Sequence, residues 1–193
     1  MSLPASPQRL KKIGDFRDDT RKLIKGDYLD IDFPILFKQE SYDGKKICDV
    51  LDTGYAGLYL ISDTMQNILT ENKLTGWKTY PIKLFDEKGN EIYGYSGFSV
   101  VGKCGTIYYK KETVLKKRRG FNTPLLKRYK GNFFDIETWD RTDFFTPENA
   151  FWIGTSSKAA KILMESKLTN IVASRMSEIE IPEYAILDKK LIR

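Results

Sequence analysis

The octapeptide "ILTENKLT", Ile68 to Thr75, returns 94 residues later as "ILMESKLT", Ile162 to Thr169, with six of eight positions identical. A phrase repeated at this distance constrains the fold strongly, because the same local structure must be built twice. Each copy has a similar setting. The first follows "LYLISD", an apolar run with aromatic and β-branched residues that reads as a strand feeding a helix cap. Asp63 and Gln66 have the spacing of a capping box, and Met65, Ile68 and Leu69 then share one helical face, which predicts a helix from about Thr64 to Lys73. The second copy follows "FWIGTSS". There Thr155 or Ser156 can cap a helix from about Ser157 to Ser166, whose apolar positions Ala159, Ile162 and Leu163 repeat the first spacing.

The repeat is therefore of a supersecondary unit, over about 58–84 and 152–181. After the first helix, Tyr80, Ile82 and Leu84 alternate with more polar residues, "DEKGN" makes a turn, and "EIYGYSGFSVVG" returns as a strand whose glycines read as bulges. Beyond the second, "SEIEIPEYAIL" predicts a terminal strand, placed at a sheet edge by Pro182. Two copies are too few for a solenoid. An amphipathic helix with its exit loop, used twice to cover a sheet, is the expected role. The length of 193 residues favours one domain. The expected architecture is a flexible N-terminal tail over 1–14, then a single α+β domain over 15–193. Its sheet is mixed or mainly antiparallel and covered by at least two repeat-related helices.

Histidine is absent. That removes Ser-His-Asp and Cys-His catalysis, His-ligated zinc and any imidazole acid or base. Cys48 and Cys104 lack a CxxC spacing and are too few for a disulfide scaffold, so they read as two thiols in a reducing cytosol. No apolar run approaches the ~20 residues of a membrane-spanning helix, and the basic start lacks the apolar core of a secretory signal. A cytoplasmic chain with no membrane partner and no cofactor is expected; its oligomeric state is open.

Three features bear on chemistry. "CDVLDTGYAG" places Asp52, Thr53 and Gly54 as the Asp-Thr-Gly turn of aspartic proteases, where two such turns let two carboxylates share a proton. The chain has one such triplet. The position 94 residues on from Asp52 is Thr146, and Tyr55 follows the glycine, so a protease would need a homodimer, and Asp-Thr-Gly is also a common turn spelling. From Lys110 to Lys130 nine basic residues face the single acid Glu112, a net +8 that leaves −2 for the rest of the +6 chain. Tyr108, Tyr109, Phe121 and Tyr129 could stack on bases there, but no nucleic-acid-binding signature accompanies them, and a solvated basic loop is the expectation. Next, "NFFDIETWDRTDFFTPE" carries five aromatics and five acids with one Arg. No Walker or dinucleotide glycine pattern opens a helix, and the clustered carboxylates lack calcium-loop spacing.

Taken together, "LYLISDTMQNILTENKLTGWKTYPIKLFDEKGNEIYGY" and "FWIGTSSKAAKILMESKLTN" resemble the bacterial polymorphic-toxin immunity proteins called immunity protein family eleven. The shared pattern is an apolar-apolar-Ser start, a helix, a leucine, "TG" and a strand, then a second helix-and-"LTG" unit. The similarity covers about residues 47 to 172. This chain departs from it at Gly154 and Thr155, and at Asn170, where the second "LTG" has glycine. The resemblance implies a non-enzymatic protein that binds and neutralises a cognate protein toxin, with no catalytic residues carried over. Such an inhibitor needs aromatic anchors and complementary charge. Phe133, Phe134, Asp135, Glu137, Trp139, Asp140, Asp143, Phe144 and Phe145 have that composition and are the candidate partner-binding residues. The competing reading is that these aromatics fill the core between the repeats.

Overall fold

The structure is a computed structural model that describes residues 16–39, 46–118, 124–150 and 152–193. The expected tail over 1–14, and Arg119 and Phe121 of the basic segment, lie outside these. The described chain has α+β architecture, with three α-helices and four small, mostly antiparallel sheets. The helices are α1 (Phe16–Lys25), α2 (Asp63–Glu71) and α3 (Ser157–Glu165). The strands are β1 (Ile35–Lys38), β2 (Val50–Asp52), β3 (Tyr59–Ser62), β4 (Trp77–Tyr80), β5 (Ile82–Phe85), β6 (Glu91–Ile92), β7 (Tyr95–Val100), β8 (Lys103–Cys104), β9 (Val114–Lys117), β10 (Leu126–Lys130), β11 (Phe144–Pro147), β12 (Gly154–Thr155) and β13 (Glu180–Pro182).

The antiparallel sheet β2-β3-β7-β4 is the centre of the molecule, and both of its faces are covered. Strand alternation explains how. Leu51, Leu60 and Tyr80 point to one side, where they join Leu23 of α1, Leu58, Phe37 of β1 and Leu84 of β5. Ile61, Phe98 and Val100 point to the other, where they meet Met65 and Leu69 of α2, Ala159 and Leu163 of α3, and Phe144 of β11. The two repeat-related helices thus share one core on one face of one sheet. On the opposite face Gly97 of β7 lies under the Tyr80 ring; a Cβ at Gly97 would come within 2.0 Å of Tyr80 Cε2. Beside it the Ser99 hydroxyl donates to the Leu23 carbonyl and accepts from the Tyr28 hydroxyl at 3.0 Å, which ties α1 to the sheet.

Local expectations fare unevenly. Both repeat helices form within two residues of their predicted ends. The first cap is Ser62, not Asp63: its Oγ accepts from Met65 N at 3.2 Å, and Ser156 does the same for Ala159 N at 3.1 Å. The alternation of Tyr80, Ile82 and Leu84 spans two strands in different sheets, because Pro81 lacks the donor that would continue β4. The strand predicted over "EIYGYSGFSVVG" divides into β6, paired with β5, and β7, paired with β3 and β4. Residues 171–174 of the second copy form no strand matching β4, so the repeat is shorter downstream than expected. Pro182 does lie on an edge strand, β13. Its neighbour is unexpected: β13 pairs with β10 of the basic segment, which is a β-hairpin of β9 and β10 rather than a loop.

Candidate functional site

The repeat extends upstream of the phrase that reveals it. Strands β2 and β3 pair Val50 with Ile61 and Leu51 with Leu60; 94 residues on, β11 and β12 pair Phe144 with Thr155 and Phe145 with Gly154. Asp49 and Asp143 stand immediately before these strands, and each carboxylate holds three groups. Asp49 accepts from the Ser62 hydroxyl at 2.8 Å, and from the backbone N–H and hydroxyl of Thr169 at 2.8 and 2.7 Å. Asp143 accepts from the Ser156 hydroxyl at 2.7 Å, and from the N–H and hydroxyl of Thr75 at 3.0 and 3.2 Å. The arrangement is exchanged: each aspartate grips the helix cap of its own copy and the exit-loop threonine of the other. Asp49 N and Asp143 N in turn donate to the hydroxyls of Thr169 and Thr75 at 2.8 and 3.1 Å.

Burial pushes both carboxyls up, but the hydrogen bonds from serine and threonine, joined at Asp143 by the Lys158 charge, outweigh it and hold each below the usual aspartate value. The residue after each threonine is left-handed, Gly76 at φ +86° and Asn170 at φ +63°. Asparagine tolerates this conformation, which accounts for the departure from "LTG" at Asn170. Its Nδ2 also donates to the Val50 carbonyl at 2.8 Å. The closing residues of the repeated phrase are therefore a frame, and Asp143 of the candidate binding set belongs to it. The sequence held this signal in the shared 94-residue spacing of Asp49/Asp143, Ser62/Ser156 and Thr75/Thr169.

The Asp-Thr-Gly turn is built locally. Asp52 Oδ1 accepts from Gly54 N at 2.8 Å, and the buried Thr53 hydroxyl donates to the Leu58 carbonyl at 2.8 Å, closing the loop between β2 and β3. At the related place on β11 stands Thr146, which carries no carboxylate.

The acidic and aromatic segment divides between core and surface. Phe144 and Phe145 are core, 2% and 3% exposed, and Phe144 packs edge-on against Phe98. Phe134 and Trp139 are half-buried against Phe145, with ring centroids 5.8 and 5.4 Å away, and the Arg141 guanidinium lies over Trp139. Phe133 stacks on Tyr108 under the Lys110 ammonium. Phe144 and Phe145 therefore belong to the core, while Phe133, Phe134 and Trp139 pack half-buried at its margin.

The exposed remainder is grouped along residues 103–107. Asp140 accepts from Lys103 N at 2.7 Å, Thr138 Oγ1 accepts from Gly105 N at 2.8 Å, and Thr106 Oγ1 donates to Glu148 at 3.0 Å. The first two of these bonds hold out a short 3-10 turn, Ile136–Thr138, capped by Asp135 and carrying exposed Asp135, Ile136 and Glu137. Ile136 is 48% exposed. Beneath lies buried Cys104, whose thiol is pushed up to about 11 by burial and by the charges of Asp140 and Glu148. The result is an exposed aliphatic side chain flanked in sequence by two exposed carboxylates, Asp135 and Glu137, with the Arg141 guanidinium over the neighbouring Trp139. Among the described residues no group of three or more Cys, Asp or Glu is placed to hold a metal ion, and no helix is long and apolar enough to cross a membrane.

The basic hairpin is partly neutralised from within. Lys117 and Arg128 both reach Glu180, and Lys130 pairs with Glu178 at 2.6 Å. Its tyrosines are committed to packing: Tyr129 is buried against Tyr109, and Tyr108 lies between Phe133 and the Arg193 guanidinium. Compared with known proteins, the chain matches no family model and no curated sequence.

Proposed function

We propose that this chain is a non-enzymatic cytoplasmic protein that binds and neutralises a cognate bacterial protein toxin, as its resemblance to immunity protein family eleven implies. The observation that carries the reading is the knob at Ile136. It is an exposed aliphatic side chain between Asp135 and Glu137, held on a turn that is pinned by hydrogen bonds and backed by packed aromatic rings. A preorganised apolar centre between two carboxylates suits a basic protein face: the apolar contact supplies affinity and the charge speeds encounter. The duplicated frame supports the same reading from another direction. Ser62, Thr75 and Gly76 of the resembling pattern, with Ser156, Thr169 and Asn170, serve the scaffold and leave recognition to the surface between the repeats.

The test is capture of a partner from the source organism's lysate on the purified chain, followed by expression of that partner with and without the chain. The expected partner arrests growth alone and is rescued by co-expression. Ile136→Arg, at an exposed position, should leave the chain folded and weaken binding at least tenfold. A captured partner that is harmless alone, or rescue unaffected by both Ile136→Arg and Glu137→Lys, would contradict the reading.

A further inference from the structure

The basic hairpin has one satisfied edge and one open edge. In the sheet β13-β10-β9, strand β10 is central, β13 closes one side, and no strand lies beyond β9 among the described residues. What the closed side accepts is informative. Residues 178–181 read Glu-Ile-Glu-Ile, of which Glu180 and Ile181 lie on β13 while Glu178 ends the 3-10 turn just before it. Glu180 receives Lys117 and Arg128, its backbone carbonyl accepts from Arg128 Nη2 at 2.9 Å, and Glu178 receives Lys130, while Ile181 stands opposite Tyr129.

Apart from Lys117, which reaches across to Glu180, the open side carries its basic residues without acids. Lys116 and Lys127 are directly opposite each other across β9 and β10, both exposed, with no carboxylate paired to either among the described residues. Like charges in this position repel and destabilise a strand pair. Val114, 38% exposed, supplies an apolar side chain on the same strand.

We propose that β9 is a docking edge that takes an extended acidic segment of a partner protein, alternating acid and aliphatic, as an added strand. An edge strand offers both N–H and C=O groups, so a peptide backbone matches it fully, whereas a phosphate backbone would use only the donors. The hairpin's described tyrosines are committed to packing, which removes the base-stacking platform that single-stranded nucleic acid would need. Lysines on the edge also discriminate, since they repel basic strands and second copies of this hairpin, offer a neutral strand no charge pairing, and attract an acidic one. This inference stands apart from the knob at Ile136 and does not depend on toxin neutralisation.

The experiment uses the full chain and a capped nine-residue peptide alternating glutamate and valine, labelled for fluorescence anisotropy at low salt. Saturable binding is expected, with slowed hydrogen exchange in β9. The Lys116→Gln/Lys127→Gln pair, checked for native circular dichroism, should weaken it at least tenfold. Two further peptides carry N-methyl groups on one or the other alternate set of amides, which keeps charge but removes edge hydrogen bonds, and one of them should lose at least tenfold. No binding of the parent peptide, equal binding of both methylated peptides, or equal binding of a lysine-for-glutamate peptide would overturn the proposal. Tighter binding of a single-stranded oligonucleotide, lost in the same lysine variants, would also overturn it and assign the edge to nucleic acid.

Discussion

Gly76 and Asn170 fill the same left-handed backbone position in the two copies by different means. A Cβ at Gly76 would come within 2.1 Å of the Phe144 carbonyl oxygen, and the residue sits at φ +86°. Gly76→Ala should therefore combine backbone strain of about 1–2 kcal/mol with displacement of β11, and cost more than ~2 kcal/mol in urea unfolding. Asn170→Gly relieves strain and forfeits one hydrogen bond, so a change within ~1 kcal/mol is expected. A second residue-level case is Tyr80, whose buried hydroxyl finds no hydrogen-bond partner among the described residues. Removing an unsatisfied buried group while keeping the ring over Gly97 should be neutral or stabilising by about 1 kcal/mol, so Tyr80→Phe should not lower the unfolding midpoint. A clear fall would contradict this placement of the hydroxyl. Such details were not legible from sequence, because an αL asparagine and a strand glycine beneath a ring look like any other asparagine and glycine until a neighbour is placed beside them.

The elements divide by how local their causes are. Helices α2 and α3 were legible because each carries a cap and an apolar stripe within ten residues or so. Helix α1 and β1 carry no such local signal. The sequence FRDDTRKLIK of α1 is mostly charged, and its burial depends on a long-range neighbour, since Leu23 packs with Leu51, Leu58 and Leu60. The basic hairpin is non-local in the same way: its acids come from the C-terminal segment, Glu178 from the 3-10 turn Met176–Glu178 and Glu180 from β13. The carboxylates that brace α2 and α3 make a testable contribution to stability. Asp49 and Asp143 have folded values below the ordinary aspartate pKa. Between the folded and unfolded values the unfolded chain binds more protons, so stability rises with pH there. The contribution is present above about pH 4, the ordinary aspartate range, and is lost as pH falls through the depressed folded values. Asp49→Asn should lower stability at neutral pH and flatten acid unfolding followed by circular dichroism; an unchanged acid profile would place the protonation elsewhere.

For the whole molecule, the decisive feature is that the two copies exchange partners. Strand pairs, helices, capping serines and aspartates recur at the 94-residue interval, while each threonine crosses to the other copy. Neither copy completes its own frame, and both helices bury their apolar faces in one shared core. The acidic knob is carried between the copies by residues 103–107, and the basic hairpin stands apart on its own sheet. Surfaces of opposite charge are thus presented by a frame that should unfold as a unit. The most direct measurement is urea unfolding of wild type, Thr75→Val, Thr169→Val and the double variant, followed by tryptophan fluorescence and far-UV circular dichroism. Each single variant should cost about 1–3 kcal/mol, from lost hydrogen bonds to a charged acceptor, with one transition that coincides by both probes. Two separate transitions, or single variants as stable as wild type, would contradict the exchanged frame.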